Sequence, residues 1–269
     1  MHPFVALMRK YCIDYTNSHD QSLYDEIMRP DYVVNTFGVS LRRDTSYARG
    51  VEALFARAPG LGLVVHEFVL NGDRLAMHFS EHASMPAGDR RVLTCWRGIG
   101  LYQWDGERLV ANWVEQDYHA LRRQLASGVS DPLRPPHLDP WVATEPVAND
   151  DRALGVVREW LARGDLAAAA ELDIDDGRIG VPYEAVLDVT DVRVDDIFSA
   201  GPKVPFHVTL TGTYRGGLGD EYVEHLGSET AMSVAGIATV DGDGVTKVEA
   251  VTARAQALGG LTGRLDVGF

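Results

Sequence analysis

The side chain best placed for chemistry in this 269-residue chain is Asp117. It ends a run of period two, in which Leu109, Ala111, Trp113, Glu115 and Asp117 share one side of a strand. Val110, Asn112, Val114 and Gln116 share the other. A carboxyl at such a strand end, beside apolar helix residues, is partly desolvated. Desolvation raises its pKa and makes it a better base near neutral pH. A second strand puts His78, Ser80, His82 and Ser84 on one face, opposite Leu75, Met77 and Phe79. A curved sheet closed off by helices makes a cone, and a cone with aromatic and polar residues on its concave face is a pocket for a hydrophobic small molecule.

The same residues also have plainer roles. Asp117 suits the cap of a helix over 120–125, or an ion pair with Arg122 or Arg123. His82 suits a hydrogen-bonded histidine, and Asn35 a tie to nearby backbone. Trp96, Trp113 and Tyr15 suit an apolar core as well as a substrate wall. His78 and His82 lie about 13 Å apart along one strand, too far to share an ion, so no metal site is expected. Cys12 and Cys95 are too few for a disulfide framework or a cysteine zinc site. Gly216-Gly217-Leu218-Gly219 follows a strand but opens no helix, so it is not a phosphate loop.

Helical spacing of Phe4, Met8, Tyr11 and Tyr15 opens the chain. A second helix carries Leu23, Ile27 and Met28 and stops at Pro30. A β-rich stretch covers 32–37, and a third helix carries Val51, Leu54, Phe55 and Ala58. Strands follow at 63–70, 74–85, 91–104 and 108–118, separated by turn chemistry such as Asn71-Gly72-Asp73 and Asp105-Gly106-Glu107. Helices first and then an antiparallel sheet make an α+β fold. Residues 127–150, with Pro132, Pro135, Pro136, Pro140 and Pro146, read as a Pro-rich linker between domains at 1–126 and 151–269.

The second segment repeats this order. Leu154, Val157 and Leu161 give a helix and 166–172 a second, followed by strands at 189–199, 204–214, 228–240 and 245–256. At an offset of 136, Gly100 falls on Gly236 and Asp105-Gly106 on Asp241-Gly242, which points to an internal duplication. Asp117 then falls on Ala253 and Trp113 on Glu249. The third helix is reduced to about Tyr183–Leu187 or missing. The second copy is thus expected to be degenerate and structural, and packing of the two sheets would make the chain an intrachain pseudo-dimer, with further homo-oligomers open.

The chain has 25 basic and 39 acidic residues and a net charge of −14. That charge disfavours nucleic-acid or anionic-membrane partners. A hydrophobic content of 45% is globular, and no apolar run reaches membrane-span length. The N-terminus lacks the order of a secretory signal, so a cytoplasmic location is expected.

The segment Arg108-Leu109-Val110, then Trp113, then Asp117, then a short helix ending Gln124-Leu125, resembles the closing strand and helix of SnoaL-like polyketide cyclases in the NTF2-like (cystatin-like) superfamily. The likeness covers about residues 4–126 well and 150–257 weakly. It implies two NTF2-like cone domains and cofactor-independent acid–base chemistry on a carbonyl or polycyclic compound: cyclisation, isomerisation or dehydration. It further implies Asp117 as the acid/base, His82 and Asn35 as hydrogen-bond donors to a developing enolate oxygen, and Tyr15, Trp96 and Trp113 as the apolar wall. Ala111 departs from the pattern, since many relatives carry a carboxylate there. Two alternatives stay open: epoxide opening, for which Glu115 and Asp117 are the one carboxylate pair on that face, and a non-catalytic ligand-binding or scaffold protein.

Overall fold

The computed structural model describes residues 1–133, 135–142, 145–164, 166–174 and 186–264. The first helix, α1 (Pro3–Arg9), starts where His2 Nδ1 accepts the Phe4 N–H at 3.2 Å, with Pro3 in the first turn, where its missing N–H costs nothing. It runs on through Lys10–Asn17 in wider, π-type turns, burying Met8, Cys12 and Tyr15. The next helix, α2 (Tyr24–Ile27), is shorter than expected, because β1 (Met28–Thr36) already begins at Met28. Pro30 sits inside β1 where the pairing register is irregular, so its missing donor breaks no regular ladder. The turn Phe37-Gly38, with φ of +49° and +74°, returns the chain as β2 (Val39–Arg42). Positive φ at both central residues is the hairpin geometry that matches strand twist.

After α3 (Ala48–Arg57) come β3 (Gly62–Asn71), β4 (Arg74–Ala87), β5 (Arg90–Trp104), β6 (Leu109–Gln116) and α4 (Tyr118–Ser127). The sheet order is β2-β1-β6-β5-β4-β3, antiparallel except for β1 beside β6. The second half carries α5 (Asp151–Ala162), β7 (Glu171–Ile174), β8 (Leu187–Ile197), β9 (Lys203–Tyr214), β10 (Glu229–Asp241), β11 (Gly244–Thr252) and α6 (Arg254–Thr262). Its sheet order is β7-β11-β10-β9-β8, again with one parallel pair, β7 beside β11. The fold is α+β. No helix among the described residues is long and apolar enough to cross a membrane.

Two expectations for the second half are corrected. The helix read over 166–172 is not formed, and Glu171–Ile174 instead pairs with the open edge of β11, whose backbone groups need partners. The last strand stops at Thr252, and α6 takes the residues read as its end. The reduced third helix falls outside the described residues up to Leu187, which opens β8.

The two sheets match in register. Gly98 pairs with Gln116 and Val234 with Thr252; both hairpins then shift register at matching places, between Gln103 and Trp104 and between Thr239 and Val240. Glu67 pairs with His78 and Asp196 with His207, each just past a register shift. The outer faces of the sheets pack together through Val69, Ile99 and Leu101 on one side and Phe198, Ala235 and Ile237 on the other. Arg74 pairs with Asp196 across this contact, and Lys203 with Glu67. Within the Pro-rich stretch, His137 N–H donates to the Val65 carbonyl of β3 at 3.2 Å and Val147 N–H to that of Leu70 at 2.9 Å.

Candidate active site

The helices α1 and α3 cover the concave face of the first sheet and leave a cavity of about 350 Å³. Tyr11, Tyr15, Tyr47 and Phe55 line the helix side, and Phe79, Glu81, Tyr102, Asn112, Val114 and Gln116 line the sheet side. The β1–β2 hairpin contributes Phe37, Val39 and Leu41. Val39 is 44% exposed, so the hairpin forms part of the opening.

The carboxyl in this lining is Glu81, on β4. It is buried, and its Oε2 has no hydrogen-bond partner. Burial pushes its pKa up to about 7, and the Trp96 indole N–H pulls it back only in part. Asn112 Oδ1, also buried and lining the cavity, is likewise without a partner. Tyr47 is the hub of a hydroxyl cluster, 3.2 Å from Tyr15 Oη and 3.4 Å from Tyr11 Oη. Burial holds these phenols neutral, with Tyr47 pushed up to about 12 and Tyr11, Tyr15 and Tyr102 well above their ordinary value. The cavity therefore combines neutral hydroxyls, two unpartnered polar oxygens and apolar walls. That set can bind an apolar molecule bearing a carbonyl or hydroxyl and move a proton at neutral pH.

The sequence-predicted residues divide. Tyr15 lines the cavity. Trp96 lies on the same face but beneath the lining, packed with Phe37, Ala83 and Tyr118, and its Nε1 donates to Gln116 Oε1 at 2.7 Å. Asp117, His82, Asn35 and Trp113 are outside the cavity lining. Asp117 caps α4: its Oδ1 accepts the Ala120 N–H at 2.8 Å, and its own N–H donates to the Arg97 carbonyl at 2.9 Å. His82 Nε2 bonds Ser80 Oγ at 2.7 Å on the sheet's outer face, where burial lowers its pKa. Asn35 Nδ2 donates to the Asn112 carbonyl at 3.2 Å, and its Oδ1 accepts from Ser40 Oγ at 2.7 Å. Trp113 is half-buried and pairs with Leu101 and Asn35.

Asp117, His82 and Asn35 thus do not converge, for a reason of parity. Both faces of this sheet are covered, one by helices and one by the second sheet, so alternation alone does not say which face is concave. Gln103 and Trp104 also pair with Ala111 and Leu109 across a register shift. Leu109 therefore joins the helix-side core with Val114 although it is in phase with Ala111. Glu81, Asn112 and Gln116 were the residues missed. A signal for Glu81 was present: it is a lone carboxyl in phase with Met77 and Phe79. Nothing in the local pattern marks Tyr47, which arrives from the turn before α3.

Helices laid over a mostly antiparallel sheet around one cavity make the first half an α+β cone. Solved structures of similar fold include a protein from Acidithiobacillus ferrooxidans assigned as a polyketide cyclase, at 19% identity and a TM-score of 0.40, covering 46% of this chain and 94% of that one. IdmH from Streptomyces antibioticus, also assigned as a polyketide cyclase, is similar at 18% identity and a TM-score of 0.41, covering 47% and 99%. AclR from Streptomyces galilaeus, assigned as a hydroxylase, is similar at 18% identity and a TM-score of 0.40, covering 45% and 94%. No family model matches the chain, and no curated protein matches it.

Proposed function

We propose that the N-terminal cone is a small-molecule enzyme site in which Glu81, not Asp117, is the acid/base. The observation that carries this reading is the unpartnered Glu81 Oε2 in a tyrosine-lined cavity, on a carboxyl whose pKa sits at about 7. A group poised at the operating pH is half ionised and serves equally as base and acid. On a bound ketone, the Glu81 carboxylate takes the proton from the carbon next to the carbonyl. A neutral hydroxyl of the Tyr15–Tyr47 cluster donates a hydrogen bond to the enolate oxygen as charge develops. Return to the same carbon of a proton that Glu81 has exchanged with water gives exchange, return to another carbon gives isomerisation, and attack of the enolate on a second carbonyl, with the proton passed to the new alkoxide, gives cyclisation. The acidic pairing needed for epoxide opening lacks support here, because Glu115 and Asp117 lie outside the cavity.

The test uses 2-tetralone, a bicyclic ketone, and reads deuterium incorporation at its acidic carbons in D2O by proton NMR. Glu81→Gln is expected to lose about 100-fold or more of the exchange above background, the usual contribution of a positioned acid/base. Asp117→Asn, which keeps the cap, is expected to exchange at the wild-type rate. Wild-type exchange by Glu81→Gln overturns the assignment. A wild-type protein that binds 2-tetralone without exchanging it is a carrier.

The second half reads as a degenerate copy of the first, with 151–269 as a domain and the whole as an intrachain pseudo-dimer. The matched register shifts support the duplication. The interchanged ion pairs support the pseudo-dimer: Lys203 stands to Arg74 as Asp196 stands to Glu67, which is the self-complementary pattern of a two-fold contact.

A further inference from the structure

The C-terminal half reaches the opening of the cavity at the Phe37-Gly38 turn. Phe37 carries φ of +49°, uncommon for a bulky residue and held only where surroundings insist. Its N–H donates to both Glu115 oxygens, at 3.1 and 3.3 Å. Glu115 is fully buried on the outer face of β6, and its Oε1 bonds His207 Nε2 of β9 at 2.9 Å. The other ring nitrogen of His207 bonds Asp195 Oδ2 at 3.0 Å, and Asp195 also accepts from Thr209 and from Arg193. A second contact reaches the same turn. Gly38 lies so close to Gln256 that a Cβ there would sit 2.6 Å from Gln256 Nε2. Gln256 is itself fixed, accepting the Ser233 N–H at 2.8 Å.

We infer that His207 and Gln256 are positioning residues: acting through Glu115 and Gly38, they hold the Phe37 turn in its strained form and so set the opening of the N-terminal cavity. The geometry gives the mechanism. The Phe37 ring lines the cavity and stacks on Tyr118 at 5.3 Å and 23°. Its backbone is fixed from behind by the Glu115 carboxyl, whose pKa burial raises and whose ionised form needs a cation beside it. His207 is that cation, and it comes from the other sheet. The second half thus has a role beyond burying the outer face of the first. This inference rests on the cavity being the ligand site.

The test follows binding of 2-naphthol by fluorescence, 2-tetralone exchange, and amide hydrogen exchange of the peptide spanning the turn. His207→Gln removes the cation, and Gln256→Ala removes the second contact without touching the ion pairs. In each, the turn amides are expected to lose protection while the β9–β10 ladder keeps its own. If the formed turn falls to a fifth of the population, the 2-naphthol Kd rises about fivefold, since apparent affinity scales with the competent fraction. KM for 2-tetralone should rise with kcat kept, whereas a merely destabilised fold would lose kcat. Should His207→Gln fail to fold, Gln256→Ala carries the same expectation. Wild-type Kd and wild-type turn protection in Gln256→Ala overturn the inference. If wild-type protein fails to bind 2-naphthol, the ligand site itself is refuted and the inference with it. Glu81→Gln separates the two ideas, because it should keep 2-naphthol binding while losing exchange.

Discussion

Glu81 and Trp96 stand directly opposite one another in the β4–β5 ladder and so share the concave face of the sheet. The indole N–H donates to Gln116 Oε1 at 2.7 Å and lowers the Glu81 pKa only in part. The carboxyl is therefore buried without the donors that would make its ionised form comfortable, and burial decides its pKa.

That carboxyl predicts two pH dependences. Proton abstraction needs the ionised form, so exchange of 2-tetralone should rise as pH passes through about 7. The stability effect has the opposite sense. The folded state holds a proton that the unfolded chain releases near 4.5, so stability falls as pH rises from 4.5 to about 7. Glu81→Gln removes this cost, on the order of 3 kcal/mol at about 1.4 kcal/mol per pKa unit. Urea denaturation should find the variant more stable than wild type at pH 8 and close to it at pH 4. A variant no more stable at pH 8 would show that Glu81 is not desolvated as described.

Asp117 makes a different prediction, as a cap. Its Oδ1 satisfies the Ala120 N–H at the start of α4, and α4 packs Tyr118 and Leu121 into the cluster under the cavity. Asp117→Ala should cost about 1 kcal/mol, within the 0.5–2 range for lost caps, while Asp117→Asn should cost little, because Asn caps as well. Equal losses in the two variants, measured by urea denaturation, would mean that the carboxylate charge and not the cap is what counts.

How far the sequence carried this reading follows from which patterns are local. The strand–turn–strand order of 62–116 was legible because Asn71-Gly72-Asp73 and Asp105-Gly106-Glu107 encode their turns in place. The likeness of the two closing hairpins was legible because β5–β6 and β10–β11 keep one register. The face of the sheet was not, because β4 and β6 are covered on both sides and carry polar residues on each. His78 and Ser80 meet the outer face, and Glu81 and Asn112 the cavity. The resemblance drew attention to Asp117, whose Oδ1 caps α4. β2 and β7 were missed because each has four residues and is fixed by pairing to a neighbour rather than by its own alternation.

The last prediction concerns the ion cluster between the sheets. Burial would lower the pKa of His207, but hydrogen bonds from its imidazolium to Asp195 and Glu115 outweigh that and raise it from 6.5 to about 9. Asp195 is lowered to about 2, since its bonds to His207, Thr209 and Arg193 outweigh burial. Asp196 lies close enough to His207 to add to the negative surroundings. A raised histidine pKa contributes stability that is fully present below 6.5 and is lost as pH climbs through about 9. Glu81 is already ionised through the upper part of that range, so its own slope is spent there. Urea denaturation across this window should show wild type losing stability relative to His207→Gln, on the order of 3 kcal/mol in total. The difference between the two proteins cancels the unfolded-state titration of cysteine and tyrosine. Two parallel curves from pH 6.5 to about 9 would mean that His207 is not charged between its carboxylates, and the link from β9 to the Phe37 turn would lose its physical cause.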